Sequence, residues 1–599
     1  MDQVDVLICG GGPVGLLTAH CLARYGLSTY VIEQHERLKQ TLYGRAAMIA
    51  PRSLEMLEQL GLADGLMQMG FVVRGQITYR DGQRVEDEQL GSVDASETFF
   101  DYLLLLRQKY TEDIIGAAYK KCSGRSIHYG TKLHGYRLIK DASDNEVEAT
   151  ISAGSEPDTR TIQCKYLVGA DGGRSTVRSL AGIPFEGDIS NRQFIRIDGI
   201  VETDMPDARE TNIIIQSHSH GNVLWACLDQ GVTRIGFSFP EHLYKTLGAK
   251  ISKEDVIHEA KKALEPFTLS FSRIDWWTAY SVGQRLAADF RAHDSVFIAG
   301  DAAHTHSSAG AQGLNIGIHD AVNLSWKLAG HVKGWYADSV IQSYTKERRP
   351  AAAAVIEQDK LLSVLYAGEL PEKYKNDRNA DRNKILASLM KQGSRNITGI
   401  AIAYAAENPT LVEFSNKTVP AGGRAPDALV QRPGIRVPIR LLTLFGNVGK
   451  FTILTFSGDL PKTSRAVKSW REYVDKHDNP SLLRAEVFQH LTIMYVENRR
   501  ASPEELLGVP PFGFTSYDVD GSAHDRYGVP QDEGGVFVLR PDGTIGTACK
   551  LDEGLKVSDY FRGFLKEQVQ AANGTDRDKS ASGTSTPTQV VAEIELDKA

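Results

Sequence analysis

The run Val4-Asp-Val-Leu-Ile-Cys-Gly10-Gly-Gly-Pro-Val-Gly15-Leu decides how this chain begins to fold. Val4, Val6 and Ile8 have the apolar spacing of a buried strand. Gly10, Gly12 and Gly15 then give G-x-G-x-x-G at a strand-to-helix turn. Leu16 to Arg24 supplies the helix, Gly26 ends it, and Thr29 to Ile32 makes a second strand. The three glycines serve a tight turn, room for a pyrophosphate against bare backbone, and close helix–strand packing. The free N–H groups at the helix start attract phosphates. Glu33, closing the second strand about twenty residues on, is placed to accept hydrogen bonds from ribose hydroxyls. A glycine fingerprint in this strand–turn–helix context, ending on an acid, predicts a site for an ADP-containing dinucleotide without saying which one.

At 599 residues the chain is too long for one core, and two to four domains are expected. A hydrophobic content of 42% and a charged content of 24% are those of a soluble globular protein. The net charge of −7, with no basic block, argues against a nucleic-acid partner. No apolar run approaches the roughly 20 residues of a membrane span, and the chain enters a strand too early for a signal peptide. Six scattered cysteines without a C-x-x-C fit free thiols in a reducing, cytoplasmic setting and no metal site.

Two further segments repeat the logic of the first. Tyr166 to Arg178 (YLVGADGGRSTVR) delivers Asp171 and two glycines from an apolar strand into a tight turn and a helix start. Val296 to His304 (VFIAGDAAH) does the same with Asp301, and the small-residue loop Thr305 to Gly313 leads into a helix, Leu314 to Ala329. There an aspartate can hold a polyol chain, and the helix dipole can hold an electron-rich ring edge. His304 and His306 form H-x-H but have no further ligand at metal spacing. Between Phe194 and Phe239 strand-like runs suggest an inserted sheet. Glu347-Arg-Arg-Pro350 reads as a solvated helix start, opening a helical stretch to about Glu407, and Val419 to Pro426 reads as a linker. From about Arg436 to Leu565 β–α alternation resumes, and the tail from Asn573 is polar and expected to be disordered.

The ordered trio GGGPVG (Gly10–Gly15), GADGGRSTVR (Gly169–Arg178) and GDAAHTH (Gly300–His306) resembles the group A FAD-dependent aromatic hydroxylases. WWTAYSVGQR (Trp276–Arg285), QGLN (Gln312–Asn315), NLSWKL (Asn323–Leu328), GGRAP (Gly422–Pro426), RYGV (Arg526–Val529) and VLRPDGTI (Val538–Ile545) are similar to the phenol hydroxylase branch. The resemblance implies an α/β fold: a Rossmann-type FAD-binding domain with an inserted β-sheet substrate domain, plus a C-terminal thioredoxin-like α/β domain without redox cysteines. On this reading the FAD-binding domain comprises 1–70, 103–185 and 285–350, and the substrate-binding sheet 71–102 and 186–284. A helical segment covers 351–418, a linker 419–435, the thioredoxin-like domain 436–570 and a disordered tail 571–599. The implied chemistry is reduction of FAD by NAD(P)H, addition of dioxygen at carbon 4a of the ring, and hydroxylation of an electron-rich aromatic carbon by the hydroperoxide. With only one dinucleotide fingerprint, NAD(P)H is expected as a transient co-substrate. The resemblance also implies a homodimer.

Carried over residue by residue, the resemblance assigns Gly10, Gly12, Gly15 and Glu33 to the ADP half of FAD. Arg45 and Gln108 go to its phosphate and ribityl regions, Asp171 to the second motif, which serves FAD and the NAD(P)H encounter, and Asp301 to a ribityl hydroxyl. The loop Ser307 to Asn315, with Gln312, Gly313, Leu314 and Asn315, is assigned to the isoalloxazine. Tyr280 matches a tyrosine near flavin and substrate, able to donate a hydrogen bond to the substrate oxygen, and is a catalytic candidate beside Arg45. Three positions depart from the branch. Ala47 stands where an aspartate deprotonates the phenol, and the loop has Ser308 where proline is usual and Ala311-Gln312-Gly313 where Gly-Gln-Gly is usual. The departures leave open another base, an already acidic polyketide-type substrate, or a different use of the flavin, in Baeyer–Villiger insertion, epoxidation, rearrangement or simple oxidation.

Overall fold

The computed structural model describes residues 2–37, 46–85, 97–139, 146–154, 159–239, 245, 251–405, 407–476, 486–496 and 501–566. Arg45 and the tail 571–599 therefore lie outside the described residues. The opening strand is Asp2–Cys9, buried from Val6 onward, and the fingerprint helix is Pro13–Arg24. Proline at the start of that helix costs nothing, because the first N–H groups have no intrahelical partner.

Asp2–Cys9 sits among the parallel strands of a mixed sheet, flanked by Thr29–Glu33 on one side and Thr159–Gly169 on the other. The register sets Cys9 opposite Ile32 and Gly169, so the first two motifs leave the sheet at the same level. Val296–Ile298 pairs in parallel with Thr159–Gly169 and sets Ile298 opposite Gly169, which brings the third motif to that level too. Three turns far apart in sequence thus share one carboxyl edge, where open α/β sheets bind ligands.

A second sheet runs in the order His304–Thr305, Ser270–Ala287, Phe185–Glu202, Thr233–Phe239, Gly221–Cys227, Asn212–Ser217, Gln76–Arg80, Gln83–Arg84. Its two long strands, Phe185–Glu202 and Ser270–Ala287, are antiparallel and bridge from the nucleotide-binding sheet into this insert. One face of the insert packs on the helix Lys253–Leu264 through Val256, Ala260 and Leu264. The other face looks toward the glycine turns. A third sheet, in the order Phe514–Asp518, Phe488–Tyr495, Phe451–Asp459, Gly535–Leu539, Ile545–Cys549, forms the thioredoxin-like C-terminal unit. No helix among the described residues is long and apolar enough to cross a membrane.

The segment around Pro350 differs from the sequence expectation. Pro350 lies inside one helix, Asp338–Tyr366, rather than at a helix start. Glu347 and Arg348 are buried, not solvated. The ring removes one helical hydrogen bond, but two buried ion pairs immediately before it anchor the helix: Glu347 to Arg540 and Arg348 to Asp320. Beyond Tyr366 the chain breaks into the shorter helices Arg382–Gln392 and Ser394–Ile397. Residues 419–435, which composition marks as a linker, run packed, with Ala425, Ala428 and Val430 buried. Arg424 reaches Glu55 of the FAD-binding unit at 2.5 Å.

Candidate active site

The glycine fingerprint is built as its spacing predicts. Gly10 has φ +116°, and a Cβ there would lie 2.2 Å from the Ala170 carbonyl oxygen. A Cβ on Gly15 would lie 2.0 Å from the Gly10 oxygen. Gly12, at the helix N-cap, has nothing within 4 Å of such a Cβ and lines the cavity described below. Two glycines thus let backbone meet backbone, and the third leaves space for a ligand above the positive end of the helix. Glu33 accepts from the Gly11 N–H at 2.8 Å and the His35 N–H at 2.9 Å, so the carboxylate also braces the turn.

The second motif uses its aspartate locally. Asp171 accepts from Ser175 Oγ at 2.5 Å and from the N–H groups of Thr176 and Val177 at 2.7 and 3.1 Å, capping the short helix Thr176–Leu180. Its neighbours Ala170, Gly172, Gly173 and Arg174 line the cavity. Arg178 donates to the Ala302 oxygen at 2.8 Å and the Gly173 oxygen at 3.0 Å, tying the second motif to the third.

In the third motif Asp301 is exposed on the cavity wall, and its carboxylate has no hydrogen bond among the described residues. The turn beneath it is held by Asp320, which is fully buried and accepts from the Gly300 N–H at 2.9 Å, His304 Nε2 at 2.7 Å and Arg348 Nε at 2.7 Å. Burial alone would raise the Asp320 carboxyl. His304 and Arg348 overcome it and hold the group down at about 2. Sequence reasoning missed Asp320 and Arg348, because their partner is created by the fold.

The helix Gly313–Val332 presents Gly313 and Leu314 to the cavity. Asn315 accepts from the Ala50 N–H at 2.8 Å and donates to the Met48 oxygen at 3.1 Å, and Gln312 donates to the Ile397 oxygen at 2.8 Å. These two amides fasten the helix start rather than line the cavity. Gln108 does line it, at the start of the helix Gln108–Ser123. Its position is fixed by buried Arg107, which bonds Asp229 at 2.8 Å and Asp275 at 3.1 Å across to the inserted sheet.

Tyr280, on Ser270–Ala287, meets Ser308 with 2.5 Å between the hydroxyls. Arg196, on Phe185–Glu202, donates to the same Ser308 Oγ at 2.6 Å. Beside it Arg234 and Asp198 form a buried pair at 2.7 and 2.8 Å. Ala47, Trp277 and Leu314 complete this end of the cavity.

All of these walls enclose one cavity of about 1480 Å³. Ordinary small-molecule pockets hold roughly 300–1,000 Å³, so this one has room for a dinucleotide and a substrate together. The residues fit FAD: a backbone cradle at Gly10–Gly15, a cavity-facing carboxylate at Asp301 and a helix N-terminus at Gly313. His306 adds a buried Nε2 with no partner among the described residues, on the same wall. Its Nδ1 lies 2.8 Å from the Ser307 carbonyl oxygen, to which it donates.

Comparison with known proteins agrees with this geometry. Residues 3–359 match the family model "FAD binding domain", and residues 400–569 match "Phenol hydroxylase, C-terminal dimerisation domain". The chain is 28% identical over 600 residues to phenol 2-monooxygenase fsqG of Aspergillus fumigatus, covering 94% of this chain and 96% of the relative. It is 26% identical to 3-hydroxybenzoate 4-monooxygenase of Comamonas testosteroni, over 94% and 95% of the two chains. Among solved structures it resembles the flavin-dependent monooxygenase PieE in complex with FAD and substrate. That match has a TM-score of 0.71 at 19% identity and covers 94% of this chain and 99% of the other. With the FAD-binding model spanning more than half of its length and the second domain following it, the chain belongs to the FAD-dependent aromatic hydroxylases, in their phenol hydroxylase branch.

Proposed function

We propose that this protein uses NAD(P)H and dioxygen to hydroxylate a phenolic or polyketide-like aromatic compound. The observation that carries the reading is the single cavity with nucleotide-binding turns at one end and the Tyr280–Ser308 hydroxyl pair at the other. The relatives named as a phenol 2-monooxygenase and a 3-hydroxybenzoate 4-monooxygenase support the substrate class. Bound FAD, reduced by NAD(P)H, supplies oxygen activation, which no amino-acid side chain provides.

The chain's own residues bind, orient and exclude water. Gly10, Gly12, Gly15 and Glu33 hold the ADP half. Gln108 and Asp301 hold the ribityl chain, and Arg45 a phosphate. The N–H groups opening Gly313–Val332 polarise the ring edge through the helix dipole. Tyr280 orients the substrate oxygen by a hydrogen bond. The long strands Phe185–Glu202 and Ser270–Ala287 roof the chamber, and keeping water out preserves a reactive oxygen donor from hydrolysis and uncoupling. We also infer a homodimer formed through the C-terminal unit.

The test is to purify the protein with its flavin and measure NADPH and NADH oxidation with phenol and 3-hydroxybenzoate. Substrate-stimulated oxidation, with one oxygen atom added to the product by mass, is the expected result. Reductant consumed at one rate with or without an aromatic compound, all of the dioxygen emerging as hydrogen peroxide, would refute hydroxylation.

A further inference from the structure

The substrate end of the cavity contains a positive charge that the known chemistry leaves unused. Arg196 is only 8% exposed and lines the cavity. Its hydrogen bonds go to the Ile195 carbonyl at 2.8 Å and Ser308 Oγ at 2.6 Å, both neutral acceptors, and it has no carboxylate partner among the described residues. Buried Arg107, Arg234, Arg348 and Arg540 each have one. Arg178 shares the lack of an ion pair, but it donates to two backbone carbonyls and does not line the cavity.

The fold makes a berth for this guanidinium. It lies over Gly236 on the neighbouring strand, where a Cβ would come within 2.4 Å of Arg196 Nη1. Asp198, two residues along the same strand, is taken up by Arg234 through both oxygens, so it does not neutralise Arg196. The other titratable groups around it include Tyr280 on the adjacent strand, Tyr366 at the end of Asp338–Tyr366, and His306 in the loop before Ser308, behind which Asp359 is engaged by the Ser307 N–H and hydroxyl. No carboxylate among them faces it. An unpaired buried cation is costly to maintain unless a ligand completes it.

We propose that Arg196 sets substrate specificity by receiving an oxyanion borne on the aromatic ring, with Ser308 and Tyr280 completing the cradle. The proposal rests on the functional reading above and narrows its substrate to aryl oxyanions, phenolate or carboxylate. It accounts for the departures at Ser308 and Ala47. Ser308 is the hydroxyl that bonds the guanidinium, a contact proline cannot make. Ala47 needs no replacement base, because a phenol bound against a guanidinium releases its proton to solvent on binding and stays as the electron-rich phenolate.

The oxidised holoenzyme, without reductant, is titrated with 4-nitrophenol, 4-nitrobenzoate and the neutral ether 4-nitroanisole, following flavin absorbance and the nitrophenolate band. Below the solution pKa of 4-nitrophenol, the bound probe is expected to show the phenolate band. At least one of the two anions is expected to bind about tenfold or more tighter than the ether, as a charge-assisted hydrogen bond warrants. Which of the two does so distinguishes phenolate from carboxylate. Arg196→Gln is expected to erase the preference with the ether's affinity unchanged, and Arg196→Lys to restore part of it. Equal binding of the ether and both anions, a preference that survives Arg196→Gln, or a yellow protein that binds none of the three would overturn the proposal. A protein that retains no FAD would instead sink the functional reading beneath it. If Arg196→Gln does not fold, the wild-type comparison of the three probes decides.

Discussion

Asp301 and Asp320 lie on opposite sides of one turn and show how environment divides two identical side chains. Asp301 faces the cavity with no hydrogen bond to its carboxylate among the described residues, whereas Asp320 is buried under it with three donors. Asp301→Ala is expected to weaken FAD by about tenfold or more, the worth of a hydrogen bond to a charged group. Titrating apoprotein with FAD by fluorescence quenching measures it. Asp320→Asn is expected to cost stability instead. A carboxyl moved from 3.8 to about 2 contributes about 2 kcal/mol of folding free energy. Because the folded value is the lower one, that contribution is complete above the unfolded value and fades as pH falls through about 2. The gap between wild type and Asp320→Asn in urea unfolding should therefore be full at pH near neutral and close progressively below about 4. A gap that does not change with pH would show that Asp320 acts by packing alone. Gly15→Ala belongs to this scale too. Its Cβ would meet backbone oxygen, not a side chain that could turn aside, so the purified variant should show almost no flavin absorbance per chain.

Among the secondary elements, the helices Gly313–Val332 and Asp338–Tyr366 do more than cover a sheet. Lys327 from the first and Glu347 from the second meet at 2.8 Å, and Arg540 of the C-terminal unit bonds both Glu347 oxygens at 2.9 and 2.8 Å. Trp326 donates to Asp542 at 3.2 Å in the same cluster. Burial pushes Lys327 down to about 8 even though Glu347 opposes the shift. Removing Arg540 leaves buried Asp542 charged and without its ion-pair partner, and breaking a buried pair in this way costs about 3–5 kcal/mol. Arg540→Met is thus expected to lower the apparent unfolding temperature sharply. Adding Asp542→Asn to it should recover part of the loss, because the stranded carboxylate is neutralised while Glu347 keeps Lys327. A double variant worse than the single one, by scanning calorimetry, would contradict this account. None of the cluster was legible from the sequence. Glu347-Arg-Arg-Pro looked like a solvated helix start because charge and proline are read locally, and the partners that bury it lie in another domain.

At the scale of the molecule, the cavity belongs to no single domain. The nucleotide-binding sheet supplies the glycine turns, the inserted sheet supplies Arg196, Trp277 and Tyr280, and Thr398 joins from the segment beyond the long helix. The C-terminal unit is fastened to this body by Arg424–Glu55 and Arg540–Glu347, with Arg440–Glu58 adding a partly exposed tie. Light scattering on the eluting protein is expected to give twice the 65.8 kDa chain mass. A monomer at working concentration would remove the inferred dimer. The class of the site was readable beforehand because glycine and aspartate at fixed offsets express backbone requirements, and those are local. Gly10, Gly12 and Gly15 needed no knowledge of their neighbours.

The sequence by itself determined the α/β class, the dinucleotide cradle and the order of the three motifs. Each depends on short-range steric and hydrogen-bonding rules that act within a turn and its flanking strand. Only the tertiary structure decided that Asp171 caps a helix while Asp301 faces the cavity, and that Asp320 and Arg348 brace the turn between them. It also decided that Arg196 stands beside Ser308 with no carboxylate partner among the described residues. Those assignments depend on which charges meet after burial, and Coulombic pairing across the fold leaves no periodic trace in the chain.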